Sequence, residues 1–229
     1  MKKYLNKVIH GDCLEVMKKL PDNCIDLVLT DPPYGINMAK NTNIISKDNK
    51  KRFGGKILHK SKKWDSKTPS KETFDELCRI SKNQIICGGN YFSDKLPTSR
   101  GWIYWGKKEH KTQGNNFADG ELLWTSFDCN MREFLFGWIG LDYINNRNGD
   151  IKQHPTQKPV ELMVWCLENY LMKKWDKDRR PIVFDGFAGS GTTGVACKKC
   201  GCDYILVEKE ADYIEICEKR LAQETLFNS

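Results

Sequence analysis

Asp31, Pro32, Pro33 and Tyr34 are the first residues whose types and spacing suggest chemistry. They follow the apolar run LVLT at 27–30, so a predicted buried strand ends on a carboxylate. Each proline fixes φ and removes a backbone donor, so the chain leaves the strand in one rigid, extended conformation. The pattern predicts hydrogen-bond acceptors that are held in fixed positions beside a ligand.

A glycine-rich turn, FDGFAGSGTTG at 184–194, is the second such group. Gly186, Gly189 and Gly191 follow a predicted strand and open a predicted helix, where glycines let the backbone approach a ligand closely. Their G-x-x-G-x-G spacing, with no lysine after it, disfavours a pyrophosphate or triphosphate ligand. The next predicted strand ends at Glu208, 17 residues after Gly191. An acid at that position typically binds the ribose hydroxyls of an adenosine.

Both groups lie at the carboxyl ends of predicted strands. In doubly wound α/β sheets, ligands bind beyond these ends, at the point where the strand order reverses. If the two strands are neighbours there, the Asp31 carboxylate lies beside an adenosine-type cofactor.

Predicted strands and helices alternate along the rest of the chain, which favours an α/β fold with a mostly parallel, doubly wound sheet. The predicted strands lie at 7–12, 25–30, 84–90, 101–106, 132–140, 181–184 and 202–208. The predicted helices lie at 13–20, where Pro21 stops the first of them, and at 70–81, 156–172 and 211–224, with one more after the glycine turn.

Composition favours one domain that is neither exported nor inserted in a membrane. The 229 residues are 39% hydrophobic and 29% charged, and no apolar run approaches the roughly 20 residues of a membrane span. The first residues lack the apolar stretch of a signal peptide, so we expect a cytoplasmic protein with reduced cysteines.

Cys197, Cys200 and Cys202 are interpreted as packing residues, since no fourth metal ligand lies nearby.

The formal net charge of +7 is concentrated in one segment. Residues 40–67 contain ten Lys or Arg and two Asp, so the rest of the chain sums to about −1. Such a segment is either a solvated loop or a surface for a polyanion. Its position directly after Tyr34 favours contact with nucleic acid, through Lys60, Lys62, Lys63 and Trp64.

Three motifs, in this order, resemble the beta group of amino-group DNA methyltransferases, which depend on S-adenosylmethionine. DPPY at 31–34 resembles the catalytic motif of that family, and FDGFAGSGTT at 184–193 resembles its cofactor motif. HPTQKP at 154–159 resembles the segment that precedes the cofactor motif. The resemblance covers 8–35 and 153–224 well and 36–150 poorly. It implies a Rossmann-like methyltransferase fold with a circularly permuted motif order.

The resemblance also implies roles for residues. Asp31, Pro32, Pro33 and Tyr34 are expected to be catalytic: the Asp31 carboxylate and the Pro32 carbonyl accept hydrogen bonds from an exocyclic amine, and Tyr34 stacks on a flipped base. Residues expected to bind the cofactor are Asp12, Cys13, Asp31, His154, Thr156, Lys158, Asp185, Gly186, Phe187, Ala188, Gly189, Ser190, Gly191, Thr192, Thr193 and Glu208. Asp12 is equally suited to cap the helix that starts at Cys13, and Phe187 to a core position.

As a whole, the chain is predicted to be one catalytic domain over 1–229, with a DNA-contacting loop at about 36–70 and target-recognition insertions at about 106–150. The implied activity is methylation of adenine N6 in duplex DNA. Cytosine N4, an RNA adenine and a catalytically inactive DNA-binding module remain alternatives. Glutamine methyltransferases are disfavoured because they carry Asn where this chain has Asp31. A separately encoded restriction endonuclease and a monomeric or homodimeric state are left open.

Overall fold

Alternating apolar segments and amphipathic helices assemble, in a computed structural model of the protein, into one eight-stranded sheet flanked by helices. The structure describes residues 1–37, 65–107, 118–138, 156–175 and 178–223. The strands are β1 (Lys7–His10), β2 (Leu27–Thr30), β3 (Gln84–Cys87), β4 (Trp102–Gly106), β5 (Gly120–Thr125), β6 (Arg132–Leu135), β7 (Ile182–Asp185) and β8 (Asp203–Glu208). The α-helices are α1 (Cys13–Met17), α2 (Lys71–Ile80), α3 (Val160–Cys166), α4 (Thr192–Cys200) and α5 (Ala211–Gln223).

The strand order is β1-β8-β7-β2-β3-β5-β4-β6, and among the described strands β5 alone runs antiparallel to its neighbours. The chain steps from β2 to β3 in one direction across the sheet and from β7 to β8 in the other. The order therefore reverses between β2 and β7, which pair in parallel with Leu27 opposite Val183. This confirms the mostly parallel, doubly wound sheet and places the two predicted groups on neighbouring strands at the reversal point.

Side chains that alternate along the strands build a separate core on each face of the sheet. Leu27 and Leu29 pack towards α3 and α4, whereas Val28 packs with α1 and α2. Cys197 and Cys202 are buried in the first of these cores, as packing residues should be. Within the described residues, no helix is long and apolar enough to cross a membrane.

Most helix boundaries follow from local rules. Ser70 caps α2 by accepting a hydrogen bond from the Thr73 amide at 3.2 Å, so this helix begins within one residue of the predicted start. The helix predicted over 156–172 begins instead at Val160, because Pro159 is extended, and from Leu167 to Leu171 it continues as a π-helix.

Strand β5 has no counterpart among the predicted strands. Its apolar run, Leu122 to Trp124, is too short to distinguish a strand from other buried segments by periodicity. Both β5 and β6 belong to the central sheet, although they fall inside the region 106–150 that the sequence analysis assigns to target recognition.

Candidate active site

A cavity of about 640 Å³ lies at the carboxyl ends of β1, β2, β7 and β8. Its volume is typical of sites for small organic ligands. Seventeen of the predicted catalytic and cofactor-binding residues line this cavity: Asp12, Cys13, Asp31, Pro32, Pro33, Tyr34, Thr156, Lys158, Asp185, Gly186, Phe187, Ala188, Gly189, Ser190, Thr192, Thr193 and Glu208. His154, Lys60, Lys62, Lys63 and Trp64 lie outside the described residues.

Gly191 does not line the cavity but allows the glycine turn to pack against α5. Its φ is +83°, and a Cβ at this position would lie 2.4 Å from the Cys217 sulfur, so the turn packs against α5 only with glycine there. Arg220, also on α5, donates hydrogen bonds to the Ser190 carbonyl at 2.8 Å and to its hydroxyl at 3.0 Å. Gln157 contacts the same hydroxyl at 3.0 Å.

Arg220 and Gln157 are absent from the predicted site. Arg220 shares the apolar face of α5 with Tyr213, Cys217 and Leu221. A charged residue on a buried helix face needs polar partners, so its position in the sequence carried a usable signal.

Glu208 joins the glycine turn to the end of β8. One carboxylate oxygen accepts a hydrogen bond from the Gly189 amide at 2.7 Å, and the other accepts one from the Glu210 amide at 2.7 Å. Burial raises the pKa of Glu208. Because each carboxylate oxygen has a second lone pair, Glu208 can also accept hydrogen bonds from two ribose hydroxyls.

Asp12 caps α1, because its carboxylate accepts a hydrogen bond from the Leu14 amide at 3.0 Å. This confirms the capping role, while contact with a cofactor adenine stays a prediction. Cys13, which follows it, is buried, and burial raises the pKa of its thiol to about 12, so the thiol is neutral.

Asp185 bridges the two strands at the reversal point. Its carboxylate accepts hydrogen bonds from the Thr30 hydroxyl at 2.6 Å and from the Phe187 amide at 3.0 Å. Burial, only partly offset by these hydrogen bonds, raises the pKa of Asp185 to about 6. A carboxylate that must ionise in a buried site destabilises the fold.

We expect Asp185→Asn to change how stability depends on pH. With a folded-state pKa of about 6, well above that of the unfolded chain, the protonated carboxyl favours the fold below about pH 4. This contribution is lost as the pH rises through 6. Chemical denaturation should therefore show that the wild type loses roughly 2–3 kcal/mol of stability as the pH rises from about 4 to just above 6, and that the variant does not show this loss.

The exposed Asp94, changed to Asn, is the matched control for this measurement and should keep the pH dependence of the wild type. Equal pH dependence in Asp185→Asn and the wild type would contradict the raised pKa.

Asp31 lies beside the cavity in a group of contacting polar side chains, here called the carboxylate–lysine cluster: Asp31, Tyr34, Lys107, Glu121 and Lys158. The Asp31 carboxylate accepts hydrogen bonds from the Tyr34 hydroxyl and from the Lys158 ammonium, each at 2.7 Å. Lys158 also lies 3.3 Å from Glu121 on β5, which forms a second ion pair with Lys107.

Lys158 therefore makes contacts that the sequence analysis did not predict. The resemblance implies a cofactor-binding role for Lys158, but its ammonium lies against two partly buried carboxylates. Its side chain is only 5% exposed, and a buried charge of this kind requires paired charges. Glu121 and Lys107 are likewise absent from the predicted site, because they lie on the strand that was not predicted and at the end of β4.

The Tyr34 ring is held in place by packing against Tyr91 and Gly88. It stacks on Tyr91 with ring centres 4.6 Å apart and planes 12° apart. Gly88, at a φ of +68°, allows this position, because a Cβ there would lie 2.2 Å from the Tyr34 ring. Tyr34 lines the cavity whereas Tyr91 does not. The ring is therefore positioned before any ligand binds.

Comparisons with known proteins agree with this geometry. A family model described as "DNA methylase" matches residues 37–219. The type II methyltransferase M.HinfI of Haemophilus influenzae is 27% identical over 96% of this chain and 69% of its own length. Among solved structures, the M1.HpyAVI complex with S-adenosylmethionine has 22% identity and a TM-score of 0.56, covering 94% of this chain and 98% of that one. The cytosine-N4-specific PvuII DNA methyltransferase has 15% identity and a TM-score of 0.55, covering 95% and 90%.

The family model spans most of the chain, so this protein belongs to the DNA methylase family. Membership confirms the family predicted from the motifs and S-adenosylmethionine as the cofactor. The name of M.HinfI states no target base, and the PvuII enzyme is specific for cytosine N4. These comparisons therefore do not identify the target base of this chain.

Proposed function

We propose that this protein is a site-specific DNA methyltransferase that transfers a methyl group from S-adenosylmethionine to N6 of a flipped adenine in duplex DNA. The observation that carries the proposal is the position of Asp31: its carboxylate lies at the strand reversal point, in the same cavity as the glycine turn and Glu208. In this sheet type that position is where a nucleoside ligand and its reacting partner meet.

The chemistry of the amine explains the acceptors. An exocyclic amine has its lone pair conjugated into the ring, so it is a poor nucleophile. Two fixed acceptors, the Asp31 carboxylate and the Pro32 carbonyl, would draw its hydrogens and turn the nitrogen towards sp³ geometry. Although both Asp31 oxygens already accept one hydrogen bond, each retains a lone pair for the amine. Acceptors that are already in position cost little reorganisation during reaction.

The cofactor site follows from the same cavity. When bound, S-adenosylmethionine supplies an electrophilic methyl group. Glu208 would accept the ribose hydroxyls, the glycine turn would allow close approach of the backbone, and Asp12 and Cys13 would border the adenine. Phe187 lines the cavity and would add apolar contact. The charged and apolar lining residues suit an adenosine attached to a sulfonium.

Access for DNA is proposed through segment 36–70. Its described ends meet beside the site: the Asp65 carboxylate accepts a hydrogen bond from the Gly35 amide at 2.8 Å, and the Asp65 carbonyl accepts one from the Asn37 amide at 2.9 Å. The segment that contains the ten basic residues of 40–67 thus has both of its described ends close to Gly35, the residue after Tyr34. Since β5 and β6 belong to the sheet, the target-recognition role is proposed for the residues around them within 106–150.

Replacing Lys60, Lys62 and Lys63 with Ala is expected to weaken DNA binding for every sequence, because phosphate contacts carry no sequence information. The dependence of log Kd on log salt should flatten by up to about 0.9 for each lost phosphate contact. Fluorescence anisotropy over a salt series measures both quantities.

Three exposed lysines that do not line the cavity, Lys2, Lys3 and Lys219, changed together to Ala, serve as the charge-matched control. Wild-type affinity and salt slope in the triple variant of Lys60, Lys62 and Lys63 would show that another surface binds DNA.

The target base can be identified directly. Transfer of labelled methyl from S-adenosylmethionine to duplex DNA, followed by nucleoside analysis, should yield 6-methyladenine. Recovery of 4-methylcytosine instead would favour the cytosine-N4 alternative, for which the fold similarity to the PvuII enzyme is the supporting observation. No label in either nucleoside would contradict the proposal.

A further inference from the structure

The carboxylate–lysine cluster has a composition that amine binding alone does not require. Holding two hydrogens needs acceptors, but the cluster adds a second carboxylate and two ammonium groups. Lys158 lies between the carboxylates, 2.7 Å from Asp31 and 3.3 Å from Glu121. The Tyr34 hydroxyl also lies between them, at 2.7 Å and 3.3 Å. Glu121 thus competes with Asp31 for the same two donors.

This competition determines how strongly Lys158 neutralises Asp31. If Glu121 were absent, the Lys158 ammonium would interact with Asp31 alone and would hold its carboxylate ionised and weakly basic. Lys107 keeps Glu121 charged, because it forms its own ion pair with that residue. With two carboxylates and two ammonium groups, the cluster is electrically balanced.

We propose that Glu121 is a positioning residue for methyl transfer: by sharing Lys158 and the Tyr34 hydroxyl with Asp31, it keeps the Asp31 carboxylate a good acceptor for the proton that the amine releases. This inference rests on the proposed function. In the reaction, the bond between nitrogen and methyl carbon forms while the bond between sulfur and methyl carbon breaks. S-adenosylhomocysteine leaves with the sulfur electron pair, and the excess proton on nitrogen passes to Asp31.

The directions of the pKa shifts agree with this geometry. Burial raises the pKa of Asp31; Lys158 opposes the rise and Glu121 adds to it. Burial acts to raise the pKa of Glu121 as well, but Lys158 and Lys107 together hold it below its ordinary value. A proton from the amine therefore goes to Asp31 rather than to Glu121.

Other titratable groups also act on Asp31. The Tyr34 hydroxyl and the Cys87 thiol are buried and neutral, because burial raises the pKa of each. Asp185 adds a second negative charge from β7. Neither Tyr34 nor Cys87 loses its proton near neutral pH, so Glu121 and Lys158 are the groups whose removal should change Asp31 most.

The test compares two variants that should act in opposite directions. Single-turnover methyl transfer to duplex DNA is measured against pH at saturating S-adenosylmethionine, which removes effects on cofactor affinity. Glu121→Gln keeps the shape but removes the charge, so the acid limb of the rate profile should move to lower pH. The rate on the plateau should fall about tenfold, because Asp31 becomes a weaker proton acceptor.

Lys158→Met removes the shared cation, so its acid limb should move to higher pH. The double variant loses one charge of each sign, and its acid limb should return towards that of the wild type. Its balanced charge also makes it the variant to measure if either single variant fails to fold. Glu133→Gln, an exposed change on β6, is the control and should leave the profile unchanged.

The inference is supported if the acid limbs of the two single variants shift in opposite directions. Their affinity for S-adenosylmethionine, measured by calorimetry, should stay within about twofold of the wild type. A wild-type pH–rate profile in Glu121→Gln would overturn the inference, and so would shifts of both variants in the same direction. Loss of cofactor affinity in the variants would also overturn it. Absence of methyl transfer by the wild-type protein would overturn the proposed function instead, so the two failures are distinguishable.

Discussion

Asp31→Ala is expected to reduce methyl transfer about a thousandfold, since a fixed electrostatic contact that acts mainly in the transition state is lost. Affinity for S-adenosylmethionine should remain within a few fold of the wild type, because the glycine turn and Glu208 are untouched. Folding should persist, because Lys158 keeps Glu121 as its partner. Single-turnover transfer and calorimetry measure the two effects separately.

Asp31→Asn is the sharper companion to this variant. It keeps the size of the side chain and one oxygen acceptor but cannot take up a proton, so it too should be severely impaired. A tenth or more of wild-type turnover in Asp31→Ala would contradict the proposed mechanism. A large loss of cofactor affinity in either variant would assign Asp31 to cofactor binding instead.

Glu208→Gln should produce the opposite pattern. Two hydrogen bonds from ribose hydroxyls to a charged acceptor are worth about 1.5–3 kcal/mol each, so their weakening should reduce cofactor affinity by about 100-fold or more. With its oxygen towards Gly189, Gln keeps the hydrogen bond from that amide, at 2.7 Å in the native structure, and loses only the one from the Glu210 amide, so the glycine turn should be preserved. At saturating cofactor, the rate of transfer should recover most of its wild-type value.

Calorimetric titration with S-adenosylmethionine measures this effect. Glu218→Gln, an exposed change on α5, is the control. Unchanged affinity in Glu208→Gln would exclude the ribose role. A loss of transfer that saturating cofactor does not restore would place Glu208 in the chemical step.

The predictable parts of this molecule are those in which local sequence rules and chemistry coincide. Two prolines after a strand and three glycines before a helix have few structural interpretations. Their meeting at the strand reversal point followed from the topology of doubly wound sheets, and the pairing of β2 with β7 confirmed it.

The parts that escaped prediction depend on contacts between distant segments. Glu121 lies 90 residues from Asp31 in the sequence and is brought near it by an antiparallel strand with a weak sequence pattern. Lys158 lines the cavity, but its ion pairs with Asp31 and Glu121 were not predicted, because the sequence does not show that the three side chains meet. Unlike the burial of Arg220 on a helix face, the burial of Lys158 and Glu121 arises from contacts between distant segments, so no local periodicity in the sequence reveals it.

The most direct test of the account is an experimental structure of the protein with S-adenosylmethionine bound. We expect the ribose hydroxyls to donate hydrogen bonds to Glu208 and the methyl group to point towards Asp31. An amine nitrogen that is hydrogen-bonded to the Asp31 carboxylate would then lie about 3–3.5 Å from the methyl carbon. A cofactor bound with its ribose away from Glu208, or with its methyl group directed away from Asp31, would contradict the account.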